Sequence, residues 1–155
     1  MQETIELAQP LPDAIDIEVL VPALVPMMRV VAGDHILVTC RARALGYQLR
    51  CNVHALESSI LSLVLNARDT LPDGGHIGIS ADLVWSHDNG SLPQARPHIC
   101  VAVHNNGAQA GCQVSDFASV RSFVDVSEGR LDIQSADHGN AVLLYLPAIM
   151  AVDGA

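Results

Sequence analysis

The chain has 155 residues, 50% of them hydrophobic and only 3% aromatic, which fits one domain that buries about two-thirds of its unfolded surface and needs no disulfide or metal to hold a core. Eight basic residues against 17 acidic ones give a formal net charge of −9, a balance that excludes a nucleic-acid backbone or an anionic membrane as main partner, since both need a cationic face. All eight basic residues are arginine, at positions 29, 41, 43, 50, 68, 96, 121 and 130, which excludes a Schiff-base lysine and the lysine of a phosphate-binding P-loop.

Residues 1–13 read as an acidic arm without the apolar run of a signal peptide, residues 14–149 as one domain, and residues 150–155 as a tail, with the chain already loose after Pro147. Asp16 is placed to cap a first helix over residues 17–32, which Gly33 ends. Pro22 inside it predicts a kink or a shortened start. The stretch 19–32 is the most apolar in the chain, yet it is too short to cross a bilayer and holds Pro22, Pro26 and Arg29. HILVTCRA and YQLRCNV follow, two runs of strand composition.

Residues 53–71 form the clearest helix, capped by Asn52 and stopped by Pro72 with Gly74 and Gly75. Val53, Leu56, Ile60, Leu63, Val64, Ala67 and Leu71 recur at helical spacing and make one apolar face. Ser59, Ser62, Asn66 and Asp69 form a polar seam along one flank, with Leu61 and Leu65 beyond it. A largely apolar helix with a narrow polar seam suits the wall of a cleft. Next come HIGISADLVW, a polar loop, and PHICVAVH, which predict a hairpin ending at Asn105-Asn106-Gly107. Ser115 is placed to cap a short helix over residues 115–127, with Phe117, Val120 and Val124 on its apolar side. RLDIQSA and AVLLYLP close the chain as a terminal hairpin around His138-Gly139-Asn140. Helices mixed with antiparallel strands in this order predict an α+β fold, a two-layer sandwich.

The segment LESSILSLVLNARDTLPDGGHIGIS, residues 56–80, resembles the N-box of the GHKL (histidine kinase-like) ATPase domain of sensor histidine kinases, and its NARD-x-x-P-x-GG wording resembles the nitrogen-regulation-like branch. The likeness extends in order over residues 14–149. It implies the Bergerat-type sandwich: a mixed, mostly antiparallel sheet with helices on one face. It also implies a bacterial, two-component signalling context with ATP and Mg²⁺ as ligands.

The same resemblance marks where this chain departs from the pattern. The family's long helix carries Asn or Glu one turn before a second Asn that holds Mg²⁺ on the ATP phosphates. Here the second position is Asn66 and the first is Ser62, a poor base and a poor ligand beside it. The first glycine box, Asp-x-Gly-x-Gly, reads Asn105-Asn106-Gly107-Ala108-Gln109. Its Asp accepts from the adenine amino group in the family; Asn105 also offers an acceptor. The ATP lid is missing, because only residues 108–114 separate this box from the next helix. The second glycine box aligns with Val114-Ser115-Asp116 and puts a carboxylate where phosphate belongs. Two unit charges 4 Å apart repel by about 4 kcal/mol at an effective dielectric of ~20. If nucleotide binding is retained, Asn66, Asn105 and Gly107 carry it, with Asn66 as the Mg²⁺ ligand; Ser62, Gln109 and Asp116 are the degenerate positions.

Other clusters read as structural. His98, Cys100 and His104 share one strand face at period two, the wrong geometry for a compact tetrahedral site with Cys112. His54 stands at a helix entry, not at the exposed mid-helix place of a phosphorylated histidine. His76 and His87 are expected to face solvent at the hairpin ends. The four cysteines, Cys40, Cys51, Cys100 and Cys112, form no CxxC pair and read as reduced, buried thiols of a cytoplasmic protein. The reading is a degenerate, pseudo-kinase domain that binds protein and does not hydrolyse ATP. Its expected partner is a response regulator or a sensor kinase, with a homodimer as another mode, and no cofactor, nucleic acid or membrane is expected. The expected partner face is the Ser59, Ser62, Asn66, Asp69 seam. The alternative is a divergent, competent histidine or serine protein kinase domain that binds ATP and Mg²⁺.

Overall fold

Burial along the last strand sets the two layers. In β7 (Gly139–Met150), Asn140, Val142, Leu144, Leu146 and Ala148 are buried while the residues between them are half-buried. Such alternation marks a strand with one face on a core and one toward solvent. The computed structural model describes residues 13–86, 95–107, 117–136 and 139–151. Within them, β7 is the spine of a seven-stranded sheet. The other strands are β1 (Asp13–Ile15), β2 (Ile36–Arg43), β3 (Tyr47–Cys51), β4 (Gly75–Ser86), β5 (Arg96–Asn105) and β6 (Arg130–Ala136).

From one edge the order is β2, β4, β5, β7. Beyond β7 the next place is shared: β6 pairs with residues 139–145 and β3 with residues 148–150, and β1 lies outside β3. The β2–β4 pair is parallel and the other described pairs are antiparallel. The predicted hairpin of β4 and β5 holds over ten residues in register, Ile77 against Asn105 through Ser86 against Arg96.

Three helices, α1 (Ile17–Ala32), α2 (Val53–Asp69) and α3 (Ala118–Val126), cover one face. Ile17, Val21 and Met28 of α1, Leu56, Ile60 and Val64 of α2, and Val120 and Val124 of α3 enter one apolar cluster with Ile77, Ile99, Val101 and Leu144 of the sheet. The other sheet face bears no helix among the described residues. There Thr39 bonds His76 at 2.7 Å, Arg41 donates to Asp82 at 3.0 Å, and the Arg130 guanidinium stacks 4.2 Å from the Tyr145 ring centre. The two-layer α+β sandwich with helices on one face is thus the observed fold.

Both predicted caps form. Asp16 accepts from the Glu18 N–H at 3.0 Å and Asn52 from the Ala55 N–H at 2.9 Å, each satisfying a donor that a helix start leaves open. Other expectations need correction. Pro22 does not shorten α1, which runs unbroken from Ile17 with Pro22 and Pro26 both on its solvent side; the carbonyls of Glu18 and Pro22, which lose an N–H partner, can turn to water there. The chain after Pro147 is not loose, because β7 continues to Met150 against β3. Asp13, expected at the end of the arm, pairs with Cys51 as the first residue of β1. The short helix begins at Ala118, later than expected, with buried Phe117 at its entry; Ser115 lies outside the described residues. His76 is half-buried on the sheet face that bears no helix, bonded to Thr39, while His87 lies outside the described residues. Among the described residues no helix is long and apolar enough to cross a membrane, and no three metal-binding side chains gather.

Cys51 and Cys100 are buried free thiols, whereas Cys40, on the edge strand β2, is exposed; Cys112 lies outside the described residues. Burial, helped by Asp13, pushes the Cys51 thiol up to about 11. Burial likewise pushes Cys100 up to about 11, against a hydrogen bond from Tyr145 that lowers it. Thiolate is the reactive form, so both should be inert near neutral pH. In the folded protein, iodoacetamide is expected to label Cys40 well before Cys51 and Cys100, which react only after denaturation. Peptide mass mapping over time checks this; early labelling of Cys51 or Cys100 would contradict the burial.

Candidate functional site

α2 faces the core with Leu56, Ile60, Leu63, Val64 and Ala67, and this fixes where its polar seam points. Ser62 and Asp69 are exposed and Asn66 is half-buried on the same flank. Ser62 and Asn66 share that flank because residues four apart stack on a helix. Ser59 does not belong to the accessible seam: it is 5% exposed, turned inward beside Ile60 and Leu63. Leu65 is 42% exposed next to the seam, whereas Leu61 is half-buried against the core. Only Leu65 therefore offers apolar surface there. Arg68 reaches from the end of α2 to the Val31 carbonyl at 3.1 Å and ties α1 to this region.

The end of α2 meets the end of β5 at Asn105. The Asn105 side-chain oxygen accepts from the Gly107 N–H at 2.8 Å, with the Thr70 hydroxyl 3.2 Å and the Asn140 amide nitrogen 3.5 Å away. The Thr70 hydroxyl has a single proton and lies closer, 2.7 Å, to the Ala67 carbonyl, which closes the last turn of α2. The Gly107 N–H is thus the firm donor to Asn105, and the Thr70 and Asn140 groups crowd the same oxygen. Asn105 is 8% exposed and Asn140 2% exposed, so water does not readily replace these donors. Asn106 is engaged too: its side-chain oxygen accepts from the His76 N–H at 2.9 Å.

Two glycines make this convergence possible. A Cβ on Gly107 would stand 2.6 Å from the Thr70 carbonyl and 2.9 Å from Leu71. Gly139, at φ +154°, packs directly on the Asn105 carbonyl. The run Asn105-Asn106-Gly107 is therefore more than a turn: it staples β5 to α2, β4 and β7. Thr70 and Asn140 did not stand out in the sequence. The one signal for Asn140 was its place in the terminal hairpin, facing the first glycine box once β5 and β7 are paired.

A cavity of about 380 Å³ opens beside this staple, lined by His104, Asn105, Gln134, Ser135, Gly139, Asn140 and Ala141. Ser62 and Asn66 do not line it. The structure thus brings Asn105 and Gly107 together and leaves Ser62 and Asn66 along the neighbouring helix. Gln109, Asp116 and the connector 108–114 lie outside the described residues. As a seat for adenine, the Asn105 oxygen already accepts from the Gly107 N–H, which leaves at most one lone pair for the amino group of a base. Ser62 brings one hydroxyl where a second amide or carboxylate would complete a Mg²⁺ shell, so the residues described here do not fit Mg·ATP well.

No family sequence model and no curated protein sequence matches the chain. Solved structures do match. The catalytic domain of histidine kinase ThkA superposes with a TM-score of 0.65 at 12% identity, over 88% of this chain and 95% of that one. The Acinetobacter baumannii histidine kinase AdeS gives 0.69 at 10% identity, over 93% of this chain and 71% of that one. The mycobacterial sensor histidine kinase MprB gives 0.63 at 15% identity, over 89% and 99%. The fold is that of histidine kinase catalytic (GHKL) domains, shared at identities that carry the fold alone.

Two expectations follow from the staple and its neighbour. Asn105→Ala strands the Gly107 N–H in a buried place and should lower stability by about 1–2 kcal/mol, while Asn105→Asp, which keeps an acceptor, should stay closer to the parent; urea unfolding of both variants decides. His104 beside it titrates below its usual value, through burial first and then through His76 and Arg41. A histidine depressed in the folded state leaves stability unchanged while both states are neutral and costs stability once the unfolded chain takes up the proton. Stability should therefore fall between about pH 7.5 and about pH 5.5, and His104→Gln should flatten that fall. Urea midpoints at both pH values measure it; an unchanged slope in the variant would contradict it.

Proposed function

We propose that this chain is a degenerate histidine kinase-like ATPase domain that works in the cytoplasm as a protein-binding module of two-component-type signalling and does not hydrolyse ATP. The observation that carries the reading is the Asn105 oxygen, which accepts from the Gly107 N–H of its own chain. At the position where the family's carboxylate recognises adenine, this chain keeps an acceptor and commits it to its own fold. Ser62 in place of Asn or Glu, and Gln109 and Asp116 in the sequence of the glycine boxes, point the same way. A carboxylate at the phosphate position repels the ligand instead of binding it.

What the domain retains is a surface. Ser62, Asn66 and Asp69 with Leu65 present a polar flank around an apolar residue on α2, a small version of a polar rim around an apolar centre. By likeness of fold, the partner is a response regulator or a sensor kinase. The net charge of −9 favours a basic surface on that partner and faster association at low salt.

Calorimetry with Mg·ATP tests the first half, with affinity expected to be weaker than about 1 mM. Micromolar binding would overturn the reading and promote the alternative, a divergent kinase domain using Asn66, Asn105 and Gly107. Ser62→Arg with Asp69→Arg, in a protein shown to remain folded, tests the second half. Loss of response-regulator or kinase capture is the expected result; undiminished capture would place the contact face elsewhere.

A further inference from the structure

His104 stands on β5 between two very small neighbours. Its cross-strand partners are Gly78 of β4 on one side and Ala141 of β7 on the other. Directly paired residues share a face, here the sheet face that bears no helix. The His104 ring lies over Gly78: a Cβ on that glycine would overlap ring atom Cε1 and stand 2.7 Å from Nε2. Glycine inside a strand often marks such a close approach. The two sides of His104 differ in charge. On the Gly78 side are the His76 ring, its centre 6.2 Å from that of His104, and Arg41 of β2. Thr39 Oγ1 holds His76 Nε2 at 2.7 Å, and Asp82 holds Arg41 at 3.0 Å. On the Ala141 side is the cavity of about 380 Å³, with Gln134, Ser135 and Asn140 on its wall. Asp132 follows on the same face of β6. Among the described residues, the charged and titratable groups around His104 are therefore Arg41, His76 and Asp82 on one side and Asp132 on the other. Burial on the Gly78 side, then His76 and Arg41, disfavour a charged ring there. Oxygen acceptors and a carboxylate favour one over Ala141.

We infer that His104 is a two-position proton switch: neutral, its ring rests on Gly78 and leaves the cavity open; protonated, it turns over Ala141 and enters the cavity beside Asn105. The turn is a single step about the Cα–Cβ bond between staggered rotamers. Neither destination has a large side chain in the way, since one cross-strand neighbour is glycine and the other alanine. Protons drive the turn because a ring over Ala141 is the better base, and a ligand shifts an equilibrium toward the state that binds it more tightly. Asn105 lines the same cavity, so acid narrows the approach to Asn105 from this face of the sheet. His76 takes part through its backbone as well: its N–H donates to Asn106 Oδ1 at 2.9 Å, which fixes the strand ends while the His104 side chain moves. The inference rests on the two small neighbours, the cavity and the charges around it, and not on the proposed function.

NMR of the full chain, titrated from about pH 7.5 to about pH 5, is the test. At the upper pH, nuclear Overhauser contacts are expected from the His104 ring to the Gly78 α-protons. At the lower pH they should give way to contacts with the Ala141 methyl group, with the same midpoint as the His104 ring shifts. That midpoint should lie below the usual histidine value. Gly78→Ala puts a methyl group where the ring lies. Its His104 should contact Ala141 already at the upper pH and titrate at a higher pH than in the parent, with circular dichroism to show that the variant folds. His76→Gln removes one repelling neighbour and should also raise the midpoint, with the turn still tied to it. Contacts with Gly78 that persist after the ring has titrated, or contacts with Ala141 that do not change with pH in the parent, would overturn the inference. So would a folded Gly78→Ala variant whose His104 titrates as in the parent.

Discussion

One side-chain oxygen holds three parts of this molecule together. Asn105 sits at the end of β5, Thr70 at the end of α2, Gly107 just beyond β5 and Asn140 at the start of β7; Asn105 Oδ1 accepts from the Gly107 N–H at 2.8 Å, with the Thr70 hydroxyl and the Asn140 amide nitrogen at 3.2 and 3.5 Å. Buried donors need acceptors, and leaving one unmet costs more than a typical hydrogen bond gains. The place where helix layer and sheet meet is therefore organised by polar satisfaction as much as by apolar packing. Gly107 and Gly139 are tied to the same point, because the backbones cannot come this close with a Cβ between them.

That constraint bears directly on function. A nucleotide-binding fold keeps an acceptor open for the base and takes the cost of hydrating it when empty. Here the acceptor meets the Gly107 N–H of its own chain; on the proposed reading this stabilises the domain without ligand and weakens the hydrogen bond that would select adenine. On that reading fold and ligand chemistry are separable, and the long helix is a scaffold for surface contact.

The fold was legible because its signals are local and periodic. Asp16 and Asn52 announced their helices, the Leu56–Leu63–Ala67 spacing announced the buried face of α2, and RLDIQSA with AVLLYLP announced the terminal hairpin. The three residues of β1 were missed because so short a strand has no period to read, and its pairing with β3 is made by contacts far apart in sequence. The continuation of β7 to Met150 was missed because Pro147 looks like a stop; at a position where the neighbouring strand changes from β6 to β3, a residue without an N–H is tolerated. Of the site, Asn66, Asn105 and Gly107 were visible as motif residues. Thr70 and Asn140 were not, since a donor becomes relevant only once the acceptor it reaches is known. Ser59 was assigned to the seam by its angle on the helix, but tertiary packing buries it.

The account stands or falls on whether the Asn105 oxygen is held by its own chain. Nitrogen-detected NMR of the Gly107 amide, followed as Mg·ATP is added, reads that directly. The account predicts a Gly107 amide strongly protected from hydrogen exchange and a resonance that does not move with nucleotide. Rapid exchange at Gly107, with a shift that saturates at micromolar Mg·ATP, would contradict it.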